Sequence, residues 1–156
     1  MARDEQALRT AVEQSAAVLT SAGLPKMPAR VLMALMVSDD GALTAAELAG
    51  QLGASPAAVS GAVRYLQTIG ILRRVAQSGS RRDRYELPDD PWYTAAASES
   101  PVYGALASLA DKAVEALADP TSPVTKRVHE MARFYRFLAA RLPGLMAEWA
   151  SIRGQD

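Results

Sequence analysis

The chain has 156 residues, 49% hydrophobic and 22% charged, with 17 basic and 17 acidic side chains, one histidine and no cysteine. These totals describe about one globular domain and exclude a disordered chain, disulfides and thiolate metal sites. No apolar run approaches the ~18 residues needed to cross a bilayer, and MARDEQALRT at the start has early acids and no apolar core. No signal peptide is therefore expected, and the chain is expected to be soluble and cytoplasmic, with no membrane partner.

Residues 3–21 carry Leu8, Ala11, Val12, Ser15, Val18 and Leu19 at helical spacing, which predicts an amphipathic helix ended by Gly23 and Pro25. A second helix begins near Pro28, a residue suited to the first turn. It runs through Val31, Leu32, Leu35 and Met36 to a close at Asp39-Asp40-Gly41. Thr44-Ala45-Ala46-Glu47 then reads as a capping box, opening a helix with Leu48 and Leu52 on one face and Gly53 at its end. Only Ala54 intervenes before Ser55, a second N-cap, and Pro56 at the first helical position. That helix extends to Ile69 and is ended by Gly70.

Two helices joined by a tight glycine-containing turn form a helix-turn-helix signature. The second helix has an inner stripe of Val59, Ala62, Val63, Leu66 and Ile69. Its other face carries Pro56, Ala57, Ser60, Gly61 and Arg64, small residues where a surface helix usually has Lys and Glu. Two readings fit this face: close packing against a neighbour, or an approach of the helix backbone into a DNA major groove, with Ser60 reaching phosphate or base edges.

The segment that follows favours DNA. Residues 71–76 read as a strand, residues 77–80 as a turn and residues 82–87 as a returning strand, so the helix-turn-helix carries a wing. Residues 64–84 hold Arg64, Arg73, Arg74, Arg81, Arg82 and Arg84 against Asp83 alone, a local net of +5 in a neutral chain. A charge run alone is usually a solvated face. At a wing tip, the negative potential of a narrow minor groove attracts arginine, and Arg81 and Arg82 are the best placed to enter it. The expected DNA-binding set is Ser55, Pro56, Ala57, Ser60, Gly61, Arg64, Arg74, Arg81, Arg82 and Arg84.

In the tail, Asp89-Asp90-Pro91 reads as a helix start that is interrupted at Ser98-Glu99-Ser100-Pro101. A helix restarts at Pro101 and carries Val102, Leu106, Leu109, Ala113 and Leu117. Ser122-Pro123 opens the last helix, where Val124, Val128, Met131, Tyr135, Leu138, Leu142, Leu145, Trp149 and Ile152 alternate by fours and threes, widened by Phe134 and Phe137. This is a coiled-coil-like seam, and Pro143-Gly144 should kink or divide it near Leu142. A second copy of the chain is the simplest partner; the alternative is a tail folded back on its own domain. The expected dimer interface is Leu8, Val12, Val128, Met131, Tyr135, Leu138, Leu142, Leu145 and Trp149.

The fold class expected from these elements is mainly α, a winged helix-turn-helix with a two-stranded wing and flanking dimerisation helices. Residues 1–22 would form an N-terminal helix contributing to the dimer, residues 23–90 the DNA-binding domain, and residues 91–156 the C-terminal dimerisation region. No acid, base or nucleophile constellation suggests an enzyme, no carboxylate cluster suggests a metal, and no cofactor is expected. His129 stands alone among basic and apolar neighbours. A winged helix whose basic wing meets an acidic protein partner is the alternative reading.

The order of these elements, with Ser55-Pro56-Ala57-Ala58-Val59-Ser60 opening the second helix and Leu66 and Gly70 leading into Ile71-Leu72-Arg73-Arg74, resembles the MarR family of bacterial transcription regulators. The wing Gly79-Ser80-Arg81-Arg82-Asp83-Arg84-Tyr85-Glu86, with Trp92 soon after, looks most like the GbsR-like branch. Arg84 stands where that branch usually has an aromatic, and Gly61 where many members have a polar or basic residue. The resemblance implies a homodimeric transcription regulator, with repression the expected action. It also implies that Asp83 pairs with a wing arginine and orients it, and that a small aromatic or zwitterionic effector binds. Trp92, Tyr93, Tyr103, Met131, Phe134, Tyr135, Phe137 and Trp149 could line its pocket or form ordinary core.

Overall fold

The computed structural model describes residues 4–79, 81–89 and 100–154. Their elements are α1 (Glu5–Ser21), α2 (Lys26–Met36), β1 (Ala42–Thr44), α3 (Ala45–Leu52), α4 (Pro56–Thr68), β2 (Arg73–Ala76), β3 (Asp83–Glu86), α5 (Ser100–Leu117) and α6 (Pro123–Arg153). The chain divides into two compact units, Met1–Trp92 and Tyr93–Asp156. The fold is mainly helical with one small antiparallel sheet, in keeping with the expected class.

In the first unit α2 is the centre, packed against α1, α3 and α4. Its Val31, Leu32 and Leu35 are fully buried together with Leu48 of α3 and Val59 and Leu66 of α4. Helical spacing in three successive segments thus converges on one apolar core. Pro28 is buried in the first turn of α2, where its missing N–H would have had no helical acceptor. Arg30 ties three helices together. Its Nε donates to both Glu13 oxygens of α1 at 2.9 Å, and its Nη2 donates to the Leu52 carbonyl of α3 at 2.9 Å.

The sheet differs from the expected two-stranded wing, because β1 joins it in the order β1-β3-β2. Three residues are too few to show an alternating pattern, so this strand is specified by its partner. Ala42 lies opposite Glu86 and Thr44 opposite Arg84. The first wing strand also starts later than residue 71: Ile71 and Leu72 are buried and belong to the core.

Thr44 ends β1 and caps α3. Its Oγ1 accepts the Glu47 N–H at 3.2 Å, while Glu47 Oε2 accepts the Thr44 N–H at 2.7 Å and lies 2.9 Å from Thr44 Oγ1. The Thr44 donors hold the Glu47 carboxyl below its usual value, the backbone N–H first and the hydroxyl second. Thr44→Ala should cost about 1 kcal/mol in a urea or thermal melt. A carboxyl lowered in the folded state stabilises above its unfolded value, and that contribution is lost as pH falls through the folded one. The deficit should therefore shrink under acid conditions; a melt unchanged from the parent at neutral pH would contradict the role of the cap.

The second unit is a hairpin of α5 and α6. Ser122 caps α6, accepting the Thr125 N–H at 3.1 Å. Ala107 and Ala110 of α5 and Thr125 and Ala132 of α6 are its buried residues, Tyr103 stacks on Tyr135 with ring centroids 5.5 Å apart, and Arg136 pairs with Asp111. Of the apolar residues that α5 carries, Val102, Leu109, Ala113 and Leu117 are exposed in the single chain, while its buried positions are the alanines Ala107 and Ala110. Helix α6 runs through Pro143 without dividing. The helix-start signal expected at Asp90-Pro91 and the break at Ser98-Glu99 lie outside the described residues, as do Ser80, Trp92 and Tyr93.

Candidate nucleic-acid interface

Helix α4 follows α3 after Gly53, whose φ of +58° suits a left-handed turn that glycine adopts without strain. Ser55 Oγ accepts the Ala58 N–H at 3.2 Å, and Pro56 sits in the first turn. Val59, Ala62, Val63 and Leu66 are buried, which fixes the rotation of the helix. Pro56, Ala57, Ser60, Gly61 and Arg64 are all left exposed on the other side.

Within the described residues of the first unit, packing does not explain the small residues of that face. A Cβ added to Gly61 would meet nothing within 4 Å. Glycine inside a helix costs roughly 1 kcal/mol relative to alanine, so the helix carries a local cost that no internal contact requires. Gln67 and Thr68 extend the same exposed face, one turn beyond Arg64 and two beyond Ser60, and the Thr68 hydroxyl donates to the Arg64 carbonyl at 2.9 Å. These two escaped the sequence reading, although their spacing from Ser60 and Arg64 carries the signal.

The wing turns at Gly79, whose φ is +78°. Arg81 and Arg82 are exposed beyond it. Three wing arginines are engaged by carboxylates. Arg73 Nε donates to Glu86 Oε1 at 2.5 Å, and Arg74 pairs with Asp83. Arg84 Nη2 donates to Asp40 Oδ2 and to the Ala42 carbonyl, each at 2.7 Å. This hydrogen bond, with the guanidinium charge behind it, holds the Asp40 carboxyl below its usual value. The partner of Asp83 among the described residues is Arg74. Arg84 is held within the fold, and the sequence pattern singles out neither Asp40 nor Ala42 as its acceptor.

The expected interface residues separate into two groups. Leu8 is half-buried and Val12 buried inside the first unit, where both line a cleft of about 330 Å³ with Ala34, Val37 and Leu52. On α6, Val128, Tyr135, Leu138 and Leu142 are half-buried, whereas Met131, Leu145 and Trp149 are exposed. Val124, Phe134, Phe137 and Ile152 are exposed too. Among the described residues no helix is long and apolar enough to cross a membrane.

An α3-turn-α4 pair followed by a β2–β3 hairpin defines a winged helix-turn-helix. The MarR family model matches residues 22–83, and a model for MmpR5-like MarR family transcriptional regulators matches residues 90–151. The two together span more than half of the chain, which belongs to the MarR family of transcriptional regulators. The chain is similar to the HTH-type transcriptional regulator MmpR5 of Mycobacterium tuberculosis (strain ATCC 25618 / H37Rv), 26% identical over 145 residues covering 93% of this chain and 88% of that protein. It is also similar to a crystal structure described as a transcriptional regulator, with a TM-score of 0.81 and 25% identity over 92% of this chain and 98% of the other.

Proposed function

We propose that the chain is a homodimeric DNA-binding repressor that reads a palindromic operator in the cytoplasm, with α4 in the major groove and the wing tip in the minor groove. The open, small-residue face of α4 carries this reading. Side chains as short as those of Ala57, Ser60 and Gly61 let a helix backbone come close to base edges. Ser55 and Pro56 would set the helix N-terminus against phosphate, and Arg64 would supply a fork for phosphate or guanine. Arg74, oriented by Asp83, would flank the tip arginines Arg81 and Arg82.

Dimerisation is supported by the second unit. Its buried residues are small, yet α6 exposes Leu145 at 56% and Trp149 at 47% of their full surfaces. An apolar face of this extent marks an interaction surface, and a second copy presents the same face in return. Release by an aromatic or zwitterionic effector rests on the family resemblance, and the Tyr103–Tyr135 stack is the aromatic pair nearest to that chemistry. Placement near the GbsR-like branch rests on the wing run and on Trp92 soon after it in the sequence.

The wing provides the test. Binding of the full chain to duplex DNA should fall steeply with salt. Arg81→Ala with Arg82→Ala should lower the slope of log affinity against log salt by about 1 for each phosphate interaction removed. Arg82→Ala alone should weaken binding more than Arg81→Ala. Salt-independent association, or a double variant with parental affinity and slope, would contradict a DNA-anchoring wing and favour an acidic protein partner.

A further inference from the structure

We infer that Arg84 is a positioning residue that aims the wing tip by clamping its middle strand to the Asp40–Ala42 segment, and that it makes no DNA contact itself. This inference rests on the DNA-binding reading above. Arg73 and Arg74 act inside the hairpin: Arg73 reaches Glu86 and Arg74 reaches Asp83, joining β2 to β3. Arg84 leaves the hairpin. Both of its acceptors, Asp40 Oδ2 and the Ala42 carbonyl, lie on the connection between α2 and α3.

The placement matters because of what that connection does next. Arg84 lies opposite Thr44 in the sheet register, and Thr44 is also the N-cap of α3. The wing strand is therefore fixed at the residue where the helix-turn-helix begins. The Asp40 carboxylate is itself oriented, its Oδ1 accepting the Ala42 N–H at 3.4 Å, and the Leu87 N–H donates to the Gly41 carbonyl at 3.1 Å just beyond the strand pair. A short two-stranded hairpin is marginal by itself in water, and the pairing with β1 extends over three residues. A charge-assisted clamp across this seam supplies direction that so brief a ladder lacks. The Arg84 side chain is only 30% exposed, against 58% and 60% for Arg73 and Arg74.

Positioning and contact predict opposite signs at Asp40. If only the local field mattered, neutralising a carboxylate near DNA would strengthen binding. If the clamp aims the wing, Asp40→Asn should weaken it. The experiment uses the full-length chain and a fixed duplex that the parent selects from a random pool. Asp40→Asn and Arg84→Met, which keeps most of the aliphatic stem, should each lower affinity by about 5- to 10-fold. In a chain already carrying Arg81→Ala and Arg82→Ala, either change should cost less than about twofold, because the clamp acts through those tips.

A general loss of fold would lower binding equally in both backgrounds. An equal cost in both, or Asp40→Asn binding as tightly as the parent or tighter, would overturn the inference while leaving the regulator reading intact. A parent chain with no salt-dependent duplex binding would overturn the regulator reading and this inference with it.

Discussion

Ser60→Glu is expected to abolish specific DNA binding while leaving the melting curve close to that of the parent. Ser60 is exposed on α4, and the stripe that anchors the helix, Val59, Ala62, Val63 and Leu66, is on the other side. A surface substitution away from core and caps usually changes stability by no more than about 0.5 kcal/mol. The same carboxylate pressed against the groove would meet phosphate charge at close range. Juxtaposed like charges cost several kcal/mol, so the loss should be at least about 100-fold. Gly61 beside it leaves open space, since an added Cβ would meet nothing within 4 Å among the described residues. Near-parental affinity in the variant would mean that α4 is not the reading helix.

A comparable effect is expected at the other end of the chain. Leu145→Asp with Trp149→Asp should give a folded monomer that no longer binds a full palindrome tightly. Both side chains are about half exposed in the single chain, so neither holds the α5–α6 hairpin together. In a dimer they would be covered, and an unpaired charge left buried costs about 3–5 kcal/mol. The dimer constant should weaken by at least about 100-fold. Each monomer would keep one recognition helix and lose the gain from tethering two, which is of the order of 10²–10⁴ in affinity. Light scattering at micromolar concentration separates the outcomes. A parent chain that is already monomeric there would rule out the dimer.

Much of the first unit was legible in the sequence because local chemistry and core pattern agree there. Thr44 with Glu47, Ser55 with Pro56, and Gly53 with Gly70 mark the helix ends in the residue types themselves, and the apolar spacing of α4 gives its buried face directly. Strand β1 was not legible: Ala42-Leu43-Thr44 shows no pattern by itself, and its pairing comes from Thr44, Leu43 and Ala42 lying beside β3. The role of Arg84 was hidden for the same reason. Its acceptors are 44 and 42 residues away along the chain, so a run of arginines looked uniform when its members have different partners. In α5 the apolar spacing did not show which residues are buried in the hairpin: these are Ala107 and Ala110, with Val102 and Leu109 left exposed. Close helix approach favours the smallest side chains, a preference that hydrophobic spacing alone does not reveal.

Two copies of this chain, on the reading proposed here, present two α4 helices to one stretch of duplex DNA. Selection of bound sequences from a random duplex pool by the full-length chain, followed by sequencing, tests that arrangement most directly. The expected result is enrichment of an inverted repeat whose half-site centres lie roughly 34–36 Å apart, about one helical turn. A pool that shows no enrichment, or that enriches a single half-site without its mirror image, would contradict it.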